Sequence, residues 1–251
     1  AQCAVRSAQC AVQCAVRGAR CPLCGTPSVR PLFGSDAAAK AGAVGRLGNG
    51  GQACTASKRF LVEDRVYDEF IDKFTAAMST WHPSDPTDNA TKLGPMASQA
   101  GVDELDELVR DALAHGAKAL LGGTPSNSAG AFYPPTILTG VPREMRAFDE
   151  ELFGPVAVVH RVHSIDEAID VANDSPFGLA SSVFTSDPEQ AQRVARDLET
   201  GMVWINSTSK TAPALPFGGV KGSGFGRELA RFGFTEFANK KLVRNPGKAT
   251  R

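Results

Sequence analysis

From Val156 to Asn206, strand and helix patterns alternate without interruption, and that alternation limits the folds open to this chain more than any other feature. Val156–Val162 is an apolar run of strand length. It is followed by Ser164-Ile165-Asp166-Glu167, whose Ser and Glu three residues apart form a capping box and predict the start of a helix. Leu179–Thr185 reads as the next strand. Asp187-Pro188 then places a capping side chain before a proline at the first helical position, predicting a helix to about Thr200, with Gly201 as its stop before a strand over Met202–Asn206. Helices of this length between strands form crossovers, and crossovers join parallel strands. The expected fold class is therefore α/β, with a doubly wound, mostly parallel sheet covered on both faces.

The preceding part is consistent with that reading. Val66, Phe70, Phe74 and Met78 recur every four residues and predict one buried face of a helix from about Asp64 to Trp81. Val102, Leu105, Leu108, Val109 and Ala112 predict a second helix over Ser98–His115, and Lys118–Leu121 and Tyr133–Leu138 read as strands. Lys plus Arg and Asp plus Glu are equal at 27 each. That balance supplies no field to attract a phosphate backbone or an anionic membrane, which argues against nucleic-acid and membrane-surface roles and leaves a cytoplasmic protein as the expectation.

Residues 1–33 do not fit the pattern. Gln-Cys-Ala-Val occurs three times, at Gln2, Gln9 and Gln13, and the segment holds Cys3, Cys10, Cys14, Cys21 and Cys24 but no acidic residue. Arg without acid suits a transit peptide, but no Ser-rich amphipathic helix accompanies it. Cys21 and Cys24 have the spacing of half a zinc site, whose remaining ligands would have to come from irregularly spaced cysteines. The preferred expectation is a segment that is not native structure, with no metal bound and the folded protein beginning near Gly34.

The other cysteine, Cys54, lies in Gly50-Gly51-Gln52-Ala53-Cys54-Thr55-Ala56-Ser57, where small neighbours leave a thiol accessible. A lone cysteine is by default an inert buried side chain. Two further stretches change the reading. Glu150-Glu151-Leu152-Phe153-Gly154-Pro155 runs from acidic residues into a turn before a buried strand. Pro216-Phe217-Gly218-Gly219-Val220-Lys221-Gly222-Ser223-Gly224-Phe225-Gly226-Arg227 is rich in glycine but has neither the ending of a P-loop nor the position of a dinucleotide fingerprint.

Together, in this order and spacing, the three stretches resemble the C-terminal part of the aldehyde dehydrogenase superfamily, with wording closest to bacterial succinate-semialdehyde dehydrogenases. Leu93-Gly94-Pro95-Met96, Asn173-Asp174-Ser175-Pro176-Phe177-Gly178 and Gly201-Met202-Val203-Trp204-Ile205-Asn206 extend the resemblance over about Gly42 to Val243. It implies that Cys54 is a nucleophile whose thiolate adds to an aldehyde. The thiohemiacetal then gives a hydride to NAD or NADP, and the thioester is hydrolysed. It also implies that Glu151 binds the nicotinamide-ribose hydroxyls, that Phe153 packs beside that ribose and that Phe217 lines the substrate tunnel. Residues 34–239 would be the nucleophile domain. Residues 240–251 would be a tail that includes an oligomerisation strand, Lys240–Arg244, implying a homo-oligomer, dimer or tetramer.

Departures from the family pattern set the alternative. The resemblance places a general-base Glu and an oxyanion-holding Asn in a preceding half that has no counterpart here, so a catalytically incomplete folded domain or interaction partner remains open. The Arg that many succinate-semialdehyde enzymes place six residues before the nucleophile is Gly48 here. Arg46 and Lys210 are the candidate anchors for a substrate carboxylate.

Overall fold

The protein is described by a computed structural model over residues 12–16, 35–126 and 129–245. In chain order the elements are β1 (Val12–Val16), α1 (Ser35–Leu47), β2 (Arg59–Glu63), α2 (Asp64–Ser79), α3 (Gln99–Ala114), β3 (Lys118–Leu121), β4 (Thr136–Thr139), α4 (Arg146–Asp149), β5 (Val156–Val162), α5 (Ile165–Asn173), β6 (Phe177–Gly178), β7 (Ala180–Thr185), α6 (Pro188–Asp197), β8 (Met202–Ile205), β9 (Val220–Lys221) and α7 (Ala230–Glu236). Seven strands form one sheet in the order β3-β4-β5-β2-β1-β7-β8, and β6 and β9 form a small separate pair. Every neighbour in the large sheet is parallel except β3–β4.

The doubly wound arrangement follows from side chains alternating across the sheet. In β2, Phe60 and Val62 join Ala38, Ala39 and Ala43 of α1 and Val66, Phe70 and Phe74 of α2, whereas Leu61 points to the opposite core with α3, α5 and α6. In β4 and β5, Ile137, Ala157 and Val159 follow the first core and Leu138, Val156 and Val158 the second. Each face is thus apolar and each is covered by helices.

Most predicted elements appear within a few residues of their expected bounds, and the shifts have local causes. Pro134 and Pro135 lack the N–H a ladder needs, so β4 begins at Thr136 rather than Tyr133. Ser164 Oγ accepts from Glu167 N at 3.1 Å as the capping box predicts, but the Glu167 carboxylate accepts from His163 N, one residue earlier than the box expects. Asp187 Oδ1 accepts from both Glu189 N and Gln190 N and starts α6, which ends at Asp197, short of Thr200.

Seven elements were not read from sequence, β1, α1, β2, α4, β6, β9 and α7, and two of them bear most on the core. The first is α1, whose buried residues are largely Ala and Gly and carry little periodic signal. The second is β1: Val12–Val16, inside the segment expected to lack native structure, pairs in parallel with both β2 and β7 in the interior of the sheet. Val-Gln-Cys-Ala-Val is a short, uncharged sequence that a parallel sheet's interior can accept. Cys3, Cys10, Cys21 and Cys24 lie outside the described residues, as does the end of the tail, 246–251.

Lys240–Arg244 has no regular structure within the single chain, and its Leu242 and Val243 are exposed. No helix among the described residues is long and apolar enough to cross a membrane. No group of three or more His, Cys, Asp or Glu among them could hold a metal ion.

Candidate active site

Cys54, Glu151 and Leu179 all lie on segments that enter strands, just before β2, β5 and β7 respectively. Because these strands are parallel, their amino ends share one edge, and the three segments converge there.

The approach to Cys54 is a forced turn. After α1 the chain tightens into Gly48–Gly51, with Asn49, Gly50 and Gly51 at φ of 53°, 64° and 72°. These are left-handed conformations that Gly and Asn tolerate best. Asn49 closes the turn by donating from Nδ2 to Gln52 O at 2.9 Å. Gly51 is required on steric grounds as well, since a Cβ there would lie 2.1 Å from Gly154 O and 2.7 Å from Arg46 Nη2. Gln52 Oε1 accepts from Ala97 N at 2.9 Å, and Ser209 Oγ donates to Thr55 O at 3.0 Å, tying the loop to its surroundings on both sides.

Cys54 is half-buried against Leu179, Ala180 and Met202, and Trp204 and Phe217 pack on the same small cluster. Phe217 is fixed by a reciprocal backbone pair with Glu228, 2.8 and 2.7 Å. Burial raises the Cys54 pKa, its own backbone N–H opposes that rise, and the negative charges of Glu151 and Glu228 add to it. The resting group is therefore a thiol, and becoming a thiolate requires removal of a proton.

Glu151 and Phe153 sit on the turn between α4 and β5. The Phe153 ring is exposed at the rim of a cleft lined also by Gln52, Glu104, Leu108 and Glu151. Glu151 Oε1 is buried and has no hydrogen-bond partner. Burial, opposed by the nearby Arg46 and Lys58, pushes its carboxyl up to about 7. A folded-state carboxyl that holds its proton more tightly than the unfolded one contributes most below the ordinary range and loses that contribution as pH rises through the shifted value. Glu151→Gln is accordingly expected to be more stable than the parent at about pH 8 and to show no such gain at about pH 4. Urea unfolding at the two pH values checks this, and equal differences at both would contradict it.

Two cations that sequence reading did not assign to this site hold its parts together. Lys58 is buried and donates from Nζ to Phe148 O at 2.8 Å and to Glu150 O, pinning the turn that presents Glu151. Arg59, also buried, donates to the carbonyls of Val171, Ala172 and Asp174 at the end of α5 and lies 4.9 Å from the Phe148 ring centre. The available signal was their position: adjacent charges leading directly into the apolar run Phe60-Leu61-Val62 cannot both be solvated surface.

Of the two candidate carboxylate anchors, Lys210 is exposed, on the loop that Ser209 ties to Thr55. Arg46 is wholly buried and hydrogen-bonds Gly51 O at 2.5 Å, inside the nucleophile loop. Among the predicted residues, the structure gathers Cys54 and Phe217 around one apolar cluster and places Glu151 and Phe153 on an adjoining cleft.

Residues 33–243 match the family described as Aldehyde dehydrogenase family. A protein of Deinococcus radiodurans named succinate-semialdehyde dehydrogenase (NADP+) is 53% identical over 209 residues, covering 83% of this chain and 44% of that protein. A Mycobacterium avium protein of the same name is 46% identical over 215 residues, covering 86% of this chain and 46% of its own length. Among solved structures, succinic semialdehyde dehydrogenase of Streptococcus pyogenes, crystallised with NADP+ as the cofactor, superposes with a TM-score of 0.82 at 42% identity and covers 86% of this chain and 47% of that one. The chain thus spans a little under half the length of these relatives, and over that span it belongs to the aldehyde dehydrogenase family.

Proposed function

We propose that Cys54 is the nucleophile of an aldehyde dehydrogenase acting on succinic semialdehyde with NADP+. The observation that carries this reading is the half-buried thiol at the end of a strained left-handed turn, beside Phe217 and next to a cleft containing an unpartnered carboxylate oxygen. The similarity to enzymes named for that substrate and cofactor supports it.

The chemistry assigned to the chain's own groups is short. The Cys54 thiolate adds to the aldehyde carbon, the C=O electron pair moves to oxygen, and a thiohemiacetal forms. The backbone N–H of Cys54 that steadies the sulfur is a donor fixed in place before reaction. A nicotinamide cofactor, when bound, supplies the hydride acceptor that takes the thiohemiacetal to a thioester. Water then attacks the thioester carbonyl, the C–S bond breaks, and acid and thiol are released. Glu151 suits the ribose of such a cofactor, because its free buried oxygen is an acceptor that a hydroxyl can satisfy, and Phe153 offers an exposed ring beside it. Phe217 narrows the approach to the sulfur. Lys210 is assigned the distal carboxylate of the substrate, since its exposed ammonium lies on a loop tied to the nucleophile loop.

The deciding experiment adds succinic semialdehyde and NADP+ to the purified chain and follows reduced-cofactor absorbance, with Cys54→Ser as control. Turnover lost in Cys54→Ser supports the assignment, and turnover that survives the substitution rules it out. A second reading, a folded nucleophile-bearing part that does not turn over by itself, is favoured by the protonated resting state of Cys54, because no side-chain base among the described residues hydrogen-bonds the thiol. A thiol that alkylates at Cys54 without any cofactor reduction is the result that reading expects. Lys210→Ala should weaken the preference for succinic semialdehyde over an uncharged aldehyde by about tenfold, the worth of one charge-assisted contact. An unchanged preference would remove Lys210 from substrate recognition.

A further inference from the structure

Two buried groups of opposite charge near Cys54 each lack the partner the other could supply. Arg46 has no solvent exposure; its Nη2 donates to Gly51 O at 2.5 Å, but its Nε and Nη1 are buried and make no hydrogen bond. A guanidinium carries five N–H donors, and leaving any of them unmet away from water is costly. The buried Oε1 of Glu151 is an acceptor with nothing to accept. The two lie within each other's field: burial lowers the pKa of Arg46 to about 10 and Glu151 opposes that fall, while burial raises the Glu151 carboxyl and Arg46 is the leading charge opposing the rise. Their loops meet backbone to backbone at Gly51 and Gly154, with no room for a Cβ between them.

We propose that Arg46 is a positioning residue shared by Cys54 and Glu151, fixing the left-handed turn that precedes the nucleophile through Gly51 O while its charge holds the Glu151 carboxylate through space. The nucleophile loop and the cleft carboxylate are then set in one register by a single side chain. Arginine suits the task because it keeps its charge when buried and its planar fork fixes the direction of the Gly51 hydrogen bond, which a lysine does not. The other charged groups around Glu151 are Lys58 before β2, Glu104 and Glu107 of α3, and Arg146 and Glu150 beside the cleft, with Arg146 already engaged by Glu107 and Glu150. The proposal rests on the reading of Glu151 as a ligand-binding carboxylate, but its test needs no ligand.

The experiment follows the Glu151 carboxyl by isotope-edited NMR titration in the full 251-residue chain without cofactor. In parallel it measures iodoacetamide alkylation of Cys54 by peptide mapping. Arg46→Met is expected to raise the Glu151 midpoint by about one pH unit, tenfold in its ionisation constant, and to change the Cys54 alkylation rate. Arg46→Lys restores the charge but not the fork, so the Glu151 midpoint should return towards the parent value while the Cys54 rate stays altered. Should Arg46→Met fail to fold, Arg46→Gln, which keeps a donor but no charge, gives the same comparison. A Glu151 midpoint equal to the parent's in all variants overturns the proposal and leaves Arg46 as a support for Gly51 alone. The ribose reading fails separately, if Glu151→Gln keeps full NADP+ affinity.

Discussion

Gly51→Ala is expected to cost about 3–4 kcal/mol of stability, the sum of a left-handed conformation imposed on a residue with a Cβ and an overpacked contact that cannot relax. The contact is severe because the atoms the new methyl would meet are the carbonyl oxygen and carbon of Gly154, at 2.1 and 2.5 Å, rather than the end of a flexible side chain. Relief requires the Cys54 loop and the Glu151 loop to separate, so the same substitution should change the rate at which Cys54 alkylates. Gly48→Ala is the control, since a Cβ there meets nothing within 4 Å. It should stay within about 0.5 kcal/mol of the parent, as substitutions away from special features do. Urea unfolding of the two variants side by side makes the comparison, and equal stabilities would mean that the two loops are not in backbone contact.

Phe74→Ala should cost about 3–5 kcal/mol, the range for removing a fully enclosed aromatic side chain. Phe60, Phe70 and Phe74 form a buried triad, with Phe74 4.6 Å from Phe60 and 5.2 Å from Phe70 between ring centres. Its truncation leaves a hole between α2 and β2, and β2 is the strand into which the nucleophile loop runs. Phe74→Leu, which refills much of that volume, should recover a large part of the loss. A deficit for Phe74→Ala under about 1 kcal/mol would show that the layer between α2 and the sheet is not packed as described.

Strands β3, β4, β5, β7 and β8 and helices α2, α3, α5 and α6 were legible from their apolar patterns and caps, whereas the central strands β2 and β1 were not. The four-residue spacing of Val66, Phe70, Phe74 and Met78 survives into the structure with all four buried. α1 was not legible, because a helix that packs closely through Ala38, Ala39, Gly42 and Ala43 leaves little apolar contrast between its faces. The site was legible only in part. Cys54, Glu151, Phe153 and Phe217 were marked by the wording of short motifs, and in the structure each lies at, or packs against, the amino edge of the same sheet, as the proposed site requires. Arg46 and Lys58 were not assigned as buried supports because charged residues are rarely fully enclosed. What distinguishes them is the set of backbone carbonyls at Gly51, Phe148 and Glu150, which only the folded chain assembles.

Cys54 as a reacting nucleophile is the central claim, and acylation tests it without cofactor or partner. The folded chain is treated with p-nitrophenyl acetate at about pH 8, where a raised thiol pKa still leaves some thiolate, and acetylated peptides are mapped in the parent and in Cys54→Ser. The account predicts an acetyl thioester on Cys54, with release of p-nitrophenol that Cys54→Ser loses and that grows steeply with pH. A folded protein in which Cys54 stays unmodified while cysteines of the first 24 residues are acetylated would contradict it.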